Sequence, residues 1–145
     1  MKKPIQFLSG LALFLASCQP FNKVEETAKQ EMKSIEVETG VVNVSPEEAR
    51  KLIGKDRSII ILDVRTPKEF AEGHIAGATN LDFKNDQFSE GVEKLDPEAS
   101  YLVHCRSGSR SGQALPILEG VPLKKIYHLN SGFIGWETAG MPVEK

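Results

Sequence analysis

Cysteine is scarce. Only two stand among 145 residues, at 18 and 105, so no disulfide framework can be built beyond one pair. Long apolar runs are missing as well. The stretch from Ile5 to Ala16 is broken by Gln6, Ser9 and Gly10, and falls short of the roughly 20 apolar residues of a membrane span. No basic run occurs, and 18 Lys and Arg against 20 Asp and Glu leave a net charge of −2. That balance argues against nucleic acid as a partner. Aromatic residues are 7% of the chain, and Phe70, Phe133 and Trp136 read as core or pocket rim. The three histidines, His74, His104 and His128, do not stand at metal-ligand spacing, so no metal is expected. No other cofactor is expected either, and structural roles are assigned to all three.

What is present is concentrated around Cys105. Tyr101 to His104 is a short apolar strand, Cys105-Arg106-Ser107-Gly108-Ser109-Arg110 a tight polar loop, and Ser111 onward a helix. Such a loop aims backbone N–H groups and a helix N-terminus at the sulfur, and both favour negative charge. Arg106 and Arg110 add permanent cations. Gly108 permits the backbone angles of an amide cradle, and Ser107, Ser109 and Ser111 can donate further hydrogen bonds. The pattern predicts a solvent-reachable thiolate beside an anion site, with no histidine base required. The alternative, a buried structural cysteine at a strand end, is the commoner fate of a lone Cys. The dense Arg-Ser-Gly-Ser-Arg-Ser context argues against it.

The two ends of the chain differ in kind. Lys2 and Lys3 precede the short apolar stretch, which ends in Leu15-Ala16-Ser17-Cys18. This resembles the bacterial lipobox, in which small residues precede a cysteine that is lipidated and becomes the mature N-terminus. The resemblance implies a lipoprotein signal peptide over 1–17, lipidation at Cys18, and an extracytoplasmic, membrane-anchored protein of the cell envelope. A conventional signal peptide cut nearby is the competing reading. Residues 18–40 are polar and read as a tether, with transient helix from Val24 to Lys33.

From 41 to 145, strands alternate with helices. Val41–Val44 is a strand, and Ser45-Pro46-Glu47-Glu48 opens a helix with a capping box and a proline at its first position. That helix is expected to stop at Gly54. Ser58–Leu62 is a β-branched run suited to a central parallel strand. Thr66-Pro67-Lys68-Glu69 repeats the cap, Ala78–Phe83 is a strand, and Asp86–Leu95 is moderately helical. A helix from about Arg110 to Leu118 is expected to kink or end early at Pro116. Lys125–Leu129 is the last strand and Gly132–Ala139 the last helix. The alternation predicts an α/β domain around a mostly parallel sheet of about five strands with helices on both faces. Ligands of such sheets bind beyond the carboxyl ends of strands, where Cys105 falls.

The joint order of Ile61-Leu62-Asp63-Val64-Arg65, Glu69-Phe70, Gly73-His74-Ile75-Ala76-Gly77-Ala78, the Cys105–Arg110 loop, Leu129-Asn130-Ser131-Gly132-Phe133, Trp136 and Gly140-Met141-Pro142 resembles the rhodanese-like sulfurtransferases over about 41–142. The resemblance implies that Cys105 takes sulfur from a small anionic donor such as thiosulfate, becomes a persulfide, and passes the sulfur to cyanide or a thiol. It implies that loop amides hold the persulfide, that Arg106 and Arg110 orient the donor, and that Asp63 and Arg65 support the loop through ion pairs. Related phosphatases and arsenate reductases use a longer loop; here four residues separate Cys105 from Arg110, which disfavours phosphate chemistry. Two further readings stand beside the enzyme. One is a persulfide carrier serving a protein acceptor. The other is a scaffold without chemistry, against which the intact loop argues.

Overall fold

The computed structural model describes residues 40–145. The signal segment 1–17, the lipidation expected at Cys18 and the tether up to 39 lie outside the described residues.

Five parallel strands form the sheet: β1 (Val41–Val44), β2 (Ile60–Asp63), β4 (Thr79–Asn80), β5 (Ser100–His104) and β6 (Lys125–Leu129), in the spatial order β1-β6-β5-β2-β4. The central position belongs to β5, whose residues 101–104 register with Ile60–Asp63 of β2 on one side. On the other, Tyr101–Val103 register with Ile126–His128 of β6. Its burial is nearly continuous, as a strand covered on both faces requires. The helices are α1 (Pro46–Lys55), α2 (Pro67–Glu72), α3 (Phe88–Glu93), α4 (Ser109–Glu119) and α5 (Gly132–Thr138).

Alternation along the strands sorts the core into two clusters. Leu62, Tyr101, Val103 and Ile126 pack with Phe88 and Val92 of α3 and with Ala114 and Leu118 of α4. Ile61, Leu102 and Leu129 pack on the opposite face with Ala49 of α1 and with Phe133 and Trp136 of α5. Helices thus cover both faces, as the sequence pattern predicts.

Both capping boxes form. The Glu48 amide donates to Ser45 Oγ at 3.2 Å and the Ser45 amide to the Glu48 carboxylate at 2.8 Å. The Glu69 amide donates to Thr66 Oγ1 at 3.3 Å and the Thr66 amide to Glu69 Oε2 at 3.2 Å. Several boundaries differ from expectation. Helix α1 runs through Gly54 to Lys55 and closes when the Asp56 amide bonds the Leu52 carbonyl at 2.9 Å. Gly54 is exposed with nothing near its Cβ position, so no contact forces a turn there. Helix α4 continues past Pro116 to Glu119, anchored beyond the proline by buried Leu118. The strand expected over 78–83 shrinks to Thr79–Asn80, although Leu81 and Phe83 still donate to the carbonyls of Asp63 and Val64 at 2.9 and 3.2 Å. A small antiparallel pair, β3 (His74–Ile75) with β7 (Val143–Glu144), has no counterpart in the sequence pattern.

Candidate active site

Cys105 directly follows β5, and Arg106, Ser107 and Gly108 turn back to start α4 at Ser109. Gly108 is the helix cap, with φ of +90°. A Cβ there would overlap the Asn130 carbonyl oxygen, so only glycine fits. Gly132, at φ +62°, is pressed in the same way against the Arg106 carbonyl. Two amides of α5 then hold the loop's first carbonyls. Phe133 donates to Cys105 O at 2.8 Å and Ile134 to Arg106 O at 2.9 Å. Because those carbonyls are drawn outward, the loop N–H groups are left facing the sulfur.

Burial pushes the Cys105 thiol pKa up. The Ser111 hydroxyl and the amides of Ser111, Ser107 and Gly108 outweigh it, so the net direction is down. The N-terminus of the eleven-residue α4 acts in the same sense. One expectation is corrected: the sulfur is not freely exposed. Cys105 is 1% exposed and joins the inner cluster with Val103 and Ala114. Tight closure is the reason, since a six-residue turn that aims its amides inward also covers the atom they aim at. Its surroundings are nevertheless polar on the loop side, which a structural cysteine does not require.

The two loop arginines part company. Arg106 is exposed and lines a cleft of about 210 Å³ together with Arg65, Glu69, Phe133 and Ile134. Arg110 gives both terminal nitrogens to Glu69, at 2.7 Å each. That hydrogen-bonded guanidinium holds the Glu69 carboxyl at about 2, against an ordinary 4.5; burial pushes the other way, and the Thr66 cap adds a smaller downward pull. Glu69, read in the sequence as a cap and as part of the Glu69-Phe70 segment, therefore ties α2 to the loop. Ser107 and Ser109 are exposed on the rim, while Ser111 is buried with its hydroxyl 3.5 Å from Cys105 Sγ.

The pair gives a stability prediction with a defined sign. A carboxyl depressed in the folded state stabilises above its unfolded value, so the contribution is present above about 4.5 and is lost as pH falls toward about 2. Glu69→Gln should cost about 1–2 kcal/mol at pH 7 and much less near pH 3. Urea unfolding of both proteins at the two pH values checks this; a deficit that does not shrink in acid counts against the pair.

Asp63 and Arg65 form a buried pair at the end of β2, 0% and 3% exposed. Arg65 Nη2 donates to Asp63 Oδ2 at 2.6 Å and to the Gly73 carbonyl at 2.7 Å. The guanidinium also lies 4.1 Å above the Phe133 ring. The ion pair joins the two residues to each other, and the pair reaches the loop indirectly, through Phe133, whose amide donates to Cys105 O. His104 lies on the face opposite Cys105's cluster, near Phe133, and burial lowers its pKa so that the ring is neutral. His74 stacks on Phe70 with ring centroids 3.9 Å apart. His128 is different: it touches Ser111, a contact the sequence did not reveal. Among the described residues, no group of three or more His, Cys, Asp or Glu is placed to hold a metal.

Residues 45–139 match the family model of the rhodanese-like domain. The chain belongs to that family. Among its rhodanese-like relatives, the thiosulfate sulfurtransferase GlpE of Pseudomonas entomophila is 34% identical over 95 residues, which is 66% of this chain and 84% of the relative. GlpE of Pseudomonas putida strain F1 is 35% identical over 101 residues, 70% of this chain and 88% of the relative. Among solved structures, a rhodanese-related protein from Thermoplasma volcanium superposes with a TM-score of 0.63 at 26% identity, covering 71% of this chain and 97% of the other.

Proposed function

We propose that this rhodanese-like protein is a sulfurtransferase working through a persulfide on Cys105. The observation that carries the reading is a sulfur at the end of the central strand, with its pKa lowered by one hydroxyl and three loop amides. Such a thiolate attacks the outer sulfur of a thiosulfate-like donor. A new S–S bond forms as the donor's own S–S bond breaks, and the electron pair leaves on sulfite. An acceptor, cyanide or a thiol, then attacks the outer sulfur and returns the Cys105 thiolate. One hard step becomes two easier ones, and the loop amides stabilise the anionic persulfide electrostatically. Arg106, exposed at the cleft, meets the anionic donor, while Arg110 holds the loop against α2 through Glu69.

The 1% exposure of Cys105 favours a second reading. A sulfur so nearly closed off is reached only when the Ser107–Ser109 rim yields, which slows exchange with free small molecules. A protein partner that docks at the loop would open it, making this chain a persulfide carrier. Incubation with thiosulfate followed by peptide mapping tests both readings. One added sulfur on the Cys105 peptide, removed rapidly by cyanide, fits the enzyme. A stable added sulfur with negligible cyanide turnover fits the carrier, and no added sulfur refutes both.

The lipobox-like Leu15-Ala16-Ser17-Cys18 supports placement of this domain at the outer side of a bacterial membrane through lipid on Cys18. In detergent phase separation the native chain should follow the detergent and Cys18→Ser the water. Equal partitioning of the two would refute the anchor.

A further inference from the structure

His128 has no role in the sulfur chemistry above, yet it is wired to the sulfur. The residue is 6% exposed on β6, paired with Asn43 of β1 on one side and Val103 of β5 on the other. Its Nδ1 lies 2.9 Å from Asn43 Oδ1 and its Nε2 lies 2.9 Å from Ser111 Oγ. Ser111 Oγ is 3.5 Å from Cys105 Sγ and 3.0 Å from the Gly108 carbonyl. Four side chains thus run in one line from the sheet edge to the reactive atom.

Donor and acceptor chemistry gives the line a direction. A carboxamide oxygen only accepts, so Nδ1 carries a hydrogen. In the neutral ring Nε2 is then a bare lone pair, and Ser111 must donate to it. Ser111 has one hydroxyl hydrogen and three acceptors within reach. While Cys105 is a thiol, hydrogen given to His128 is withheld from the sulfur; the hydroxyl bond that lowers the Cys105 pKa belongs to the thiolate. Protonation of Nε2 reverses the arrangement: the ring donates to Ser111 Oγ, and the hydroxyl hydrogen turns to the sulfur. A thiolate, being charged, is a stronger acceptor for it than a neutral carbonyl.

We infer that Asn43, His128 and Ser111 form a relay that couples protonation of His128 to ionisation of Cys105, with His128 as a positioning residue acting through the Ser111 hydroxyl. This rests on Cys105 being the reacting sulfur. The step balances without any further reagent. The thiol S–H proton passes to Ser111 Oγ while the Ser111 hydroxyl proton passes to Nε2, leaving a thiolate and an imidazolium one hydroxyl apart.

The surroundings suit a coupled pair rather than an independent base. The ring meets Asn43 from β1, the Gly108 carbonyl from the loop and Ser111 from α4; a Cβ at Gly112 would sit 4.0 Å from its Cε1. None of these groups is ionisable; Cys105 is reached one step further, through Ser111 Oγ, and the Arg110 charge beside Cys105 is paired with Glu69. Burial holds the imidazole below its ordinary range, with the Gly108 carbonyl pulling weakly the other way. The ring is therefore neutral near pH 7 unless a thiolate stands beside it.

Nitrogen NMR of the histidine rings in the full chain tests the relay without any sulfur-transfer assay. The expected result is the Nδ1–H tautomer for His128, with a titration midpoint that falls by about one pH unit when iodoacetamide alkylates Cys105. In Ser111→Ala that response should vanish. An Nε2–H tautomer, a midpoint indifferent to alkylation, or the same shift in Ser111→Ala would overturn the relay. In His128→Gln, which can hydrogen-bond but not titrate, the pH profile of Cys105 alkylation should lose the inflection due to the imidazole; an unchanged profile also overturns it. Intact coupling without any persulfide would refute the sulfurtransferase and carrier readings and leave the relay standing.

Discussion

Cys105→Ser should abolish sulfur transfer from thiosulfate to cyanide, with a fall on the order of a thousandfold or more, while stability changes by about 1 kcal/mol or less. The two halves of that expectation have separate causes. A serine hydroxyl occupies nearly the same space and meets the same partners, the Ser111 hydroxyl and the amides of Ser107, Gly108 and Ser111. The cradle can therefore close around it. What it cannot do is ionise the oxygen, whose affinity for its proton far exceeds that of a thiol, so the nucleophile is lost while its binding site survives. Donor binding through Arg106 should persist, and the loss should fall on turnover rather than on apparent donor affinity. Initial rates and urea unfolding of the two proteins check this together. Equal rates would refute Cys105 as the nucleophile, as would a persulfide mapped to any other residue.

The legible parts of this fold are those encoded within a few residues of each other. Ser45 with Glu48, and Thr66 with Glu69, are local grammar, and both caps form as read. The run Ile59–Leu62 and the apolar Tyr101–Val103 could be placed in the sheet because each is short, buried and bounded by turns. The Cys105–Arg110 loop was readable for the same reason. Helix ends were read less well. Gly54 and Pro116 weaken a helix locally, but the packing of α1 and of Leu118 outweighs them. What stayed hidden depends on long sequence separation. Glu69 meets Arg110 across 41 residues, and His128 meets Asn43 across 85. Neither spacing has a periodicity, so only the sheet order brings such residues together, β1 beside β6 for His128 and Asn43, and β5 beside β2 for Arg110 and Glu69.

That division has a functional meaning. The loop's residue types are local, but its shape is imposed from outside by three elements. Helix α2 holds Arg110 through Glu69, α5 holds the carbonyls of Cys105 and Arg106, and β6 presents His128 to Ser111. A loop of serine and glycine alone would be flexible, and a flexible loop cannot keep its amides aimed at one atom. Electrostatic stabilisation of a persulfide depends on donors that are already oriented. The supporting contacts therefore belong to the chemistry as much as the cysteine does.

The buried Asp63–Arg65 pair behind Phe133 predicts the largest stability change. Asp63→Ala should destabilise the fold by about 3–5 kcal/mol, because it strands the Arg65 guanidinium in the interior. Arg65 is 3% exposed, and Asp63 accepts from its backbone amide at 3.0 Å as well as from its side chain. With Asp63 gone, the Gly73 carbonyl and the Phe133 face are the partners left to the cation, and neither carries a full negative charge. Phe133 also lends its amide to Cys105 O, so rearrangement of Arg65 should loosen the loop and slow persulfide formation before the protein unfolds. An apolar replacement of both partners, Asp63→Leu with Arg65→Met, removes the stranded charge and should recover a large part of the lost stability without restoring the anchor on Gly73. Urea unfolding of the two variants, beside the rate of persulfide formation in each, separates these effects. A loss below about 1 kcal/mol in Asp63→Ala, within the range of an ordinary surface change, would show that water or a shifted side chain reaches Arg65 and that the pair does not brace the site.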